Sequence, residues 1–352
     1  MRVMVTGATG NVGTAVMRAL AADDRVTSLV GVARRLPGPE HGAPAGTEVE
    51  WVAADVAHDD LLPHLAGVDA LVHLAWLFSP SRRPDVTWQT NAVGSARVFA
   101  AAVDAGVRTV VHASSIGAYS PGPGRVVDET WPTHSRPGAA YGREKAYVER
   151  VLDSVEARHP DLRVVRLRPA FIFQVAAATE QRRIFAGPFL PRRLVAPGRL
   201  PVLPLPRGLR FQAVHSEDVA EAYRLAVTTE VRGPFNIAAE PVIDAAVLAD
   251  LLDTRPVEVP RSVMRGALSL AWLAHVVPTD PCLLDLFLDL PLLDTGRARD
   301  ELGWVPRRSA LDALRAVVSG MAAGAGGTTP PLAPDSVAGR LGEVATGVGE
   351  RP

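Results

Sequence analysis

Residues 6–13 read Thr-Gly-Ala-Thr-Gly-Asn-Val-Gly, directly after the apolar run 2–6 and directly before an amphipathic stretch, 11–22. Each glycine of such a strand–loop–helix pattern has a physical job. Gly7 permits a sharp turn, Gly10 lets the backbone approach an anion with no Cβ in the way, and Gly13 lets the helix pack closely on the strand. The N–H groups that open the helix then face a pyrophosphate. Gly7, Thr9, Gly10, Asn11, Val12 and Gly13 are therefore expected to contact a dinucleotide.

The chain beyond the loop keeps the alternation that this motif requires. Apolar β-type runs at 26–33, 48–55, 69–75, 108–115 and 162–168 alternate with helical patterns, the clearest at 86–106 and 139–158. Strands apolar on both faces belong in a parallel sheet covered by helices, so the expected fold is α/β: a doubly wound, Rossmann-like sheet. After about residue 171 the rhythm breaks. A Pro- and Arg-rich stretch at 186–206 reads as a functional loop or lid. A strand and helix follow at 213–227, a short strand at 235–237, and mainly helical sequence at 244–318. The organisation expected is a dinucleotide-binding core at 1–170, then a mainly substrate-binding part at 171–318 that returns to the core at about 213–240. The Gly-, Ala-, Pro- and Thr-rich end, 319–352, reads as a disordered tail.

Composition excludes several function classes. Lys+Arg 37 against Asp+Glu 38 leaves no basic field for nucleic acid. One cysteine, Cys282, cannot close an intramolecular disulfide or build a thiolate zinc cage, and the nine histidines are scattered with no His-x-x-x-His pair, so no metal is expected. The apolar run 267–277 is too short to span a bilayer. The N-terminus shows no leader pattern, and a cytoplasmic protein with no membrane partner is the expectation. No Gly-x-Ser-x-Gly elbow accompanies a hydrolase triad.

The second β-type run ends in Ala33-Arg34-Arg35, where a carboxylate would grip the ribose of NAD. Two guanidinium groups there suit a 2′-phosphate, so NADP is favoured over NAD; a solvated surface pair is the other reading. Asp55-Val56 and Leu74-Ala75 close the third and fourth strands at the same sheet edge. Asp55 would accept from an adenine amino group or cap the turn before Ala57.

Tyr141 and Lys145, four residues apart, share one helix face. A free phenol with a pKa of about 10 is seldom ionised at neutral pH; lowering it by about 3 units requires roughly 4 kcal/mol of differential stabilisation, which a nearby ammonium and a cationic nicotinamide would supply. The tyrosine would then serve as acid/base. Ser115, at the end of the fifth strand, would bind the oxygen of a carbonyl or alcohol.

With these stretches in hand, the sequence resembles the extended short-chain dehydrogenases/reductases of the NAD-dependent epimerase/dehydratase type. TGATGNVG, DV at 55–56, HLA at 73–75, TNAVGSARVFAAAVDAGV at 90–107, VVHASSIGAYS at 110–120 and YGREK at 141–145 carry the resemblance. RLRPAFIF at 166–173, VHSEDVAEA at 214–222, FNIAAEP at 235–241 and LGWVP at 302–306 extend it over about residues 1–318. It implies that Tyr141 is the catalytic acid/base, that Lys145 holds the nicotinamide ribose and depresses the tyrosine, and that Ser115 orients the substrate. It further implies that Asn91 belongs to the hydrogen-bond network of the active-site helix and that Pro169 and Ile172 lie beside the nicotinamide. His215 and Asp218 would support the site, with a purely structural role as the alternative. Family likeness also suggests a homodimer built from the helices at 86–106 and 139–158.

Departures narrow the substrate. Ile116-Gly117 stand where sugar 4,6-dehydratases carry Asp-Glu, and Phe173-Gln174 replaces the Tyr-Gly common in nucleotide-sugar enzymes. Substrate walls are expected from Trp76–Arg83, Phe171–Gln174 and the 186–206 loop, with Trp76, Ser115, Phe171 and Gln174 foremost; Arg182, Arg183, Arg192 and Arg193 could bind an anion. The expected function is NAD(P)-dependent oxidation or reduction of a small molecule at a carbonyl/alcohol carbon. An epimerase that retains its cofactor and a non-catalytic NADP sensor are the alternatives.

Overall fold

The computed structural model describes residues 1–38, 47–79 and 81–350. Its strands in chain order begin with β1 (Arg2–Thr6), β2 (Ser28–Ala33), β3 (Glu48–Ala53), β4 (Ala70–His73), β5 (Thr109–Ala113) and β6 (Val126–Val127). They continue with β7 (Arg163–Pro169), β8 (Phe171–Phe173), β9 (Val202–Pro206), β10 (Arg210–His215), β11 (Gly233–Ile237), β12 (Ala239–Asp244) and β13 (Arg255–Val259). Seven of them form one parallel sheet in the order β11-β7-β5-β4-β1-β2-β3.

Alternation along β1 explains why the sheet is covered on both sides. Val3 and Val5 join Met17, Leu20, Tyr223 and Phe235 on the face packed by helices Asn11–Ala21 and Ser216–Thr228. Met4, between them, joins Leu71, Phe99, Val148 and Leu152 under helices Ser95–Asp104 and Ala140–Arg158. Strand order reverses between β1 and β4, and a crevice opens there at the carboxyl ends of the strands, where ligands bind in doubly wound sheets. Thr6 and His73 are paired at this edge, and their side chains are joined at 2.7 Å.

The helix expected at 86–106 runs instead from Pro84 to Asp104, with a π-helical turn at Gln89–Gly94 in its middle. Such bulges re-aim side chains and gather at functional sites; this one carries Asn91. Around the sheet's edge, β8, β10 and β12 make a second small sheet, and the 186–206 stretch contributes β9, paired in parallel with β13.

The end of the chain is a correction. Residues 319–350, expected to be disordered, are folded: helix Ala310–Ala323 is followed by a short turn at Pro330–Leu332 and helix Val337–Ala345. Residues 351 and 352 lie outside the described residues. Low apolar content misled because polar contacts fix this segment. Asp335 accepts from Arg192 at 2.8 Å and Arg340 at 2.6 Å, and Glu343 accepts from Arg182 at 2.6 Å.

Candidate active site

The glycine loop is built as a cradle. Gly7 has φ +71, and a Cβ there would meet the Leu74–Ala75 backbone at 2.8 Å. A Cβ on Gly13 would stand 2.1 Å from the Gly7 carbonyl. At Gly10 the nearest atom would be 3.4 Å away, so the protein itself leaves room for a side chain there. Gly10 caps the helix with no side chain, which leaves the first N–H groups without intrahelical partners. The cradle therefore fits a pyrophosphate.

The crevice beside the loop is lined by Thr9, Arg34, Arg35, Asp55, Val56, Leu74 and Ala75, together with Arg183 and Pro331. Arg34 and Arg35 are exposed. Asp55 has one oxygen on the Ala57 N–H at 2.9 Å and also lines the crevice, so capping and lining coexist.

A second compartment continues from the first past Trp76, Phe78 and Glu180. Asn11, Val12, Ser115, Tyr141, Lys145, Pro169, Phe171 and Ile172 line it, with Phe173, Ile184, Phe185 and Phe287. Tyr141, Ser115 and Lys145 thus converge on one wall. The Tyr141 hydroxyl donates to Ser115 Oγ at 2.9 Å, and Ser115 Oγ also accepts from the Gly117 N–H at 3.0 Å. Phe78 stacks on the tyrosine with ring centroids 4.7 Å apart.

The electrostatics of the pair differ from the expectation. Lys145 Nζ lies 3.3 Å from the Trp76 ring centroid and donates to the Ala113 carbonyl at 2.6 Å, while the Tyr141 ring centroid is 6.0 Å away. Burial pushes the Tyr141 phenol up to about 12, opposed by its hydrogen bond with Ser115. Burial also drives the lysine well below its usual value, against the pull of Glu144 and Glu149. Among the protein's own groups, desolvation therefore dominates the phenol, and the ammonium lies over the Trp76 ring; the cationic nicotinamide, the other source of the expected lowering, would act in addition to these groups.

Asn91 is fully buried. It clamps the chain at Leu77, accepting from its N–H at 2.7 Å and donating to its carbonyl at 2.8 Å, and also donates to Glu144 at 2.6 Å. It thereby positions the segment that presents Trp76 and Phe78. Gln174 is a second correction. Its amide donates to the Asn11 carbonyl and side-chain oxygen, both at 2.8 Å, which ties it to the start of the first helix and away from the substrate wall. Phe173 and Phe185 take its place. Of the four arginines considered for an anion, Arg182 and Arg192 are paired with Glu343 and Asp335. Asp218 accepts from the Arg307 and Arg308 N–H groups, and His215 from the Glu217 N–H, so both brace the fold.

Sequence reasoning did not single out Phe185, Phe287 or Glu180, which come from segments without a recognisable pattern. It also passed over Glu149, which holds Arg168 and Ser114 beneath the site and is kept down at about 2 by these partners against its own burial.

A family model described as the NAD dependent epimerase/dehydratase family matches residues 3–238. The chain belongs to this family and is an enzyme of the nicotinamide-dinucleotide-dependent oxidoreductase and epimerase class. It is 29% identical over 339 residues to a 4-hydroxy-2-methyl-3-oxo-4-farnesyl-3,4-dihydroquinoline-1-oxide ketoreductase of Stigmatella aurantiaca, covering 90% of this chain and 96% of that one. It is 28% identical over 335 residues to a UDP-glucose 4-epimerase of Streptomyces lividans, covering 88% and 92%. Among solved structures, a UDP-glucose 4-epimerase from Stenotrophomonas maltophila with bound NAD and formylated UDP-arabinopyranose matches with a TM-score of 0.68 at 23% identity, covering 92% of this chain and 98% of that one. No described helix is long and apolar enough to cross a membrane.

Proposed function

We propose that this enzyme is a ketoreductase that prefers NADP and acts on a bulky, largely apolar ketone. The observation that carries this reading is the wall facing Tyr141 and Ser115: Phe78, Phe171, Phe173, Phe185 and Phe287. A nucleotide-sugar substrate brings a pyrophosphate of its own, yet two of the four arginines weighed for an anion, Arg182 and Arg192, are already neutralised by carboxylates. The farnesylated quinoline substrate in the name of the Stigmatella relative is of the apolar kind.

The dinucleotide would be held by Gly7, Thr9, Gly10 and the helix start, by Asp55, Val56, Leu74 and Ala75 along the crevice, and by Lys145, Pro169 and Ile172 at its far end. Arg34 and Arg35 supply the preference for a 2′-phosphate. When bound, the reduced cofactor supplies the hydride that the carbonyl carbon takes up. Ser115 binds and orients the carbonyl oxygen. Tyr141 gives its proton to that oxygen as the C=O π bond becomes C–H and O–H. A phenol whose pKa is raised by burial is protonated at neutral pH, the state that a reduction needs in its general acid. We also infer a homodimer packed through the helices at 84–104 and 140–158, where Val93 and Tyr147 are exposed; native mass spectrometry reads the subunit count.

The test is NADPH consumption with prenylated or polycyclic aryl ketones, beside UDP-glucose. Oxidation of NADPH in step with ketone loss is expected, with Tyr141→Phe reducing turnover about 100-fold or more. Epimerisation of UDP-glucose without added cofactor, or full activity in Tyr141→Phe, would overturn the reading.

A further inference from the structure

The roof over both compartments is the short helix Ala178–Gln181 and the π turn Arg182–Ala186 that continues it. The C-terminal segment ties this roof down. Thr179 Oγ1 donates to the Ala325 carbonyl at 2.6 Å, and Arg340 donates to the Pro188 and Leu190 carbonyls at 2.8 and 2.7 Å. The same segment also reaches the floor: Thr329, 1% exposed, donates from Oγ1 to the Thr9 carbonyl in the glycine loop at 2.7 Å. Residues 325–350 thus bridge the two sides of the dinucleotide crevice.

Carboxylates in this region are distributed unevenly. Asp335 and Glu343 neutralise Arg182, Arg192 and Arg340. Arg183 is the exception. Its guanidinium donates to the neutral Pro331 carbonyl at 3.3 Å, it forms no ion pair with a described carboxylate, and it lines the same crevice as Gly7, Thr9 and Gly10, together with Glu180, whose carboxyl is pushed up to about 7 by burial. A partly buried guanidinium that shares a crevice with a cradle of backbone N–H groups is suited to an anion held there.

We propose that Arg183 binds the pyrophosphate of the dinucleotide from the roof side, and that the C-terminal segment, through Thr329 and Pro331, holds it there. The pyrophosphate is then gripped from two sides: by the glycine loop, and by a roof that the end of the chain fastens to that loop. This inference rests on the crevice being the dinucleotide site and goes beyond it, because the family model ends at residue 238 and does not reach the segment that fastens the roof.

NADH and NADPH share a pyrophosphate and differ in the 2′-phosphate, so fluorescence titration of the full chain with each separates the roles of the arginines. Arg183→Met is expected to weaken both dinucleotides by the same factor, about tenfold or more, as befits a charged hydrogen bond. Arg34→Ser weakens NADPH alone. Thr329→Val leaves every ion pair in place and is expected to speed release of both dinucleotides several-fold in stopped-flow displacement. Unchanged affinities in Arg183→Met, or a loss confined to NADPH, would overturn the assignment of Arg183, and unchanged release from Thr329→Val would overturn the role of the segment. Failure of the unaltered protein to bind either dinucleotide would remove the cofactor reading along with this one.

Discussion

Tyr141 illustrates what spacing does and does not reveal about a catalytic residue. A spacing of four positions places a phenol and an ammonium on one helix face, and both do line the same compartment. Spacing says nothing of Trp76, which arrives from the end of β4 and takes the ammonium onto its ring. The phenol is left with burial as its dominant influence and stands at about 12. This has a directional consequence. Reduction uses the protonated phenol, so its turnover should stay flat from pH 6 to 8. Oxidation of the product alcohol needs the phenolate and should climb with pH over the same range, by up to about tenfold per unit. Steady-state rates in both directions on one ketone/alcohol pair check this; a reductive rate that falls between pH 6 and 8 would mean that the phenol titrates near neutrality during turnover.

Elements were legible where one physical requirement dominates. The glycine loop, the strands buried on both faces and the helix bearing Tyr141 follow from sterics and periodicity, and β1 occupies the residues its apolar run marks out. The roof and the C-terminal segment were not legible, because they are held by arginine–carboxylate and side-chain–carbonyl bonds whose partners lie up to 320 residues apart, and the β9–β13 ladder was not, because it joins two short strands from segments far apart in sequence. The loop itself offers a test that separates packing from binding. Gly13→Ala forces a Cβ against the Gly7 carbonyl and should lower the melting temperature by several degrees, a core-clash effect of about 1–3 kcal/mol. Gly10→Ala meets only an ordinary contact within the protein. Its melting temperature should hold within a degree or two while NADPH binding weakens at least tenfold. Equal effects of the two substitutions in thermal scans and titrations would contradict the cradle.

For the whole molecule, groups buried in the sheet beneath the site contribute to acid stability. His73 and His112 stack with centroids 5.7 Å apart, next to Phe99. His73 bonds to Thr6 and Ser95, whereas neither ring nitrogen of His112 has a partner among the described residues. Burial, with Lys145 adding to it, lowers His73 to about 3; burial, Lys145, His73 and Arg166 hold His112 well below its ordinary 6.5. A histidine depressed in the folded state favours folding fully above its unfolded pKa, and that contribution is lost as pH falls toward the folded value. Glu149, depressed to about 2, acts with the same sign below about 4.5, whereas Glu144, raised by burial, acts with the opposite sign. Between pH 7 and 5 a histidine that stays neutral in the fold costs about 2 kcal/mol of stability, because only the unfolded chain takes up the proton. His112→Leu removes that linkage and two unpartnered nitrogens together. Urea unfolding at both pH values should therefore show the drop in stability from pH 7 to 5 smaller by about 2 kcal/mol in the variant, with little loss at pH 7. The other titrating groups cancel in the comparison, so an unchanged drop would mean that His112 carries the same charge folded and unfolded.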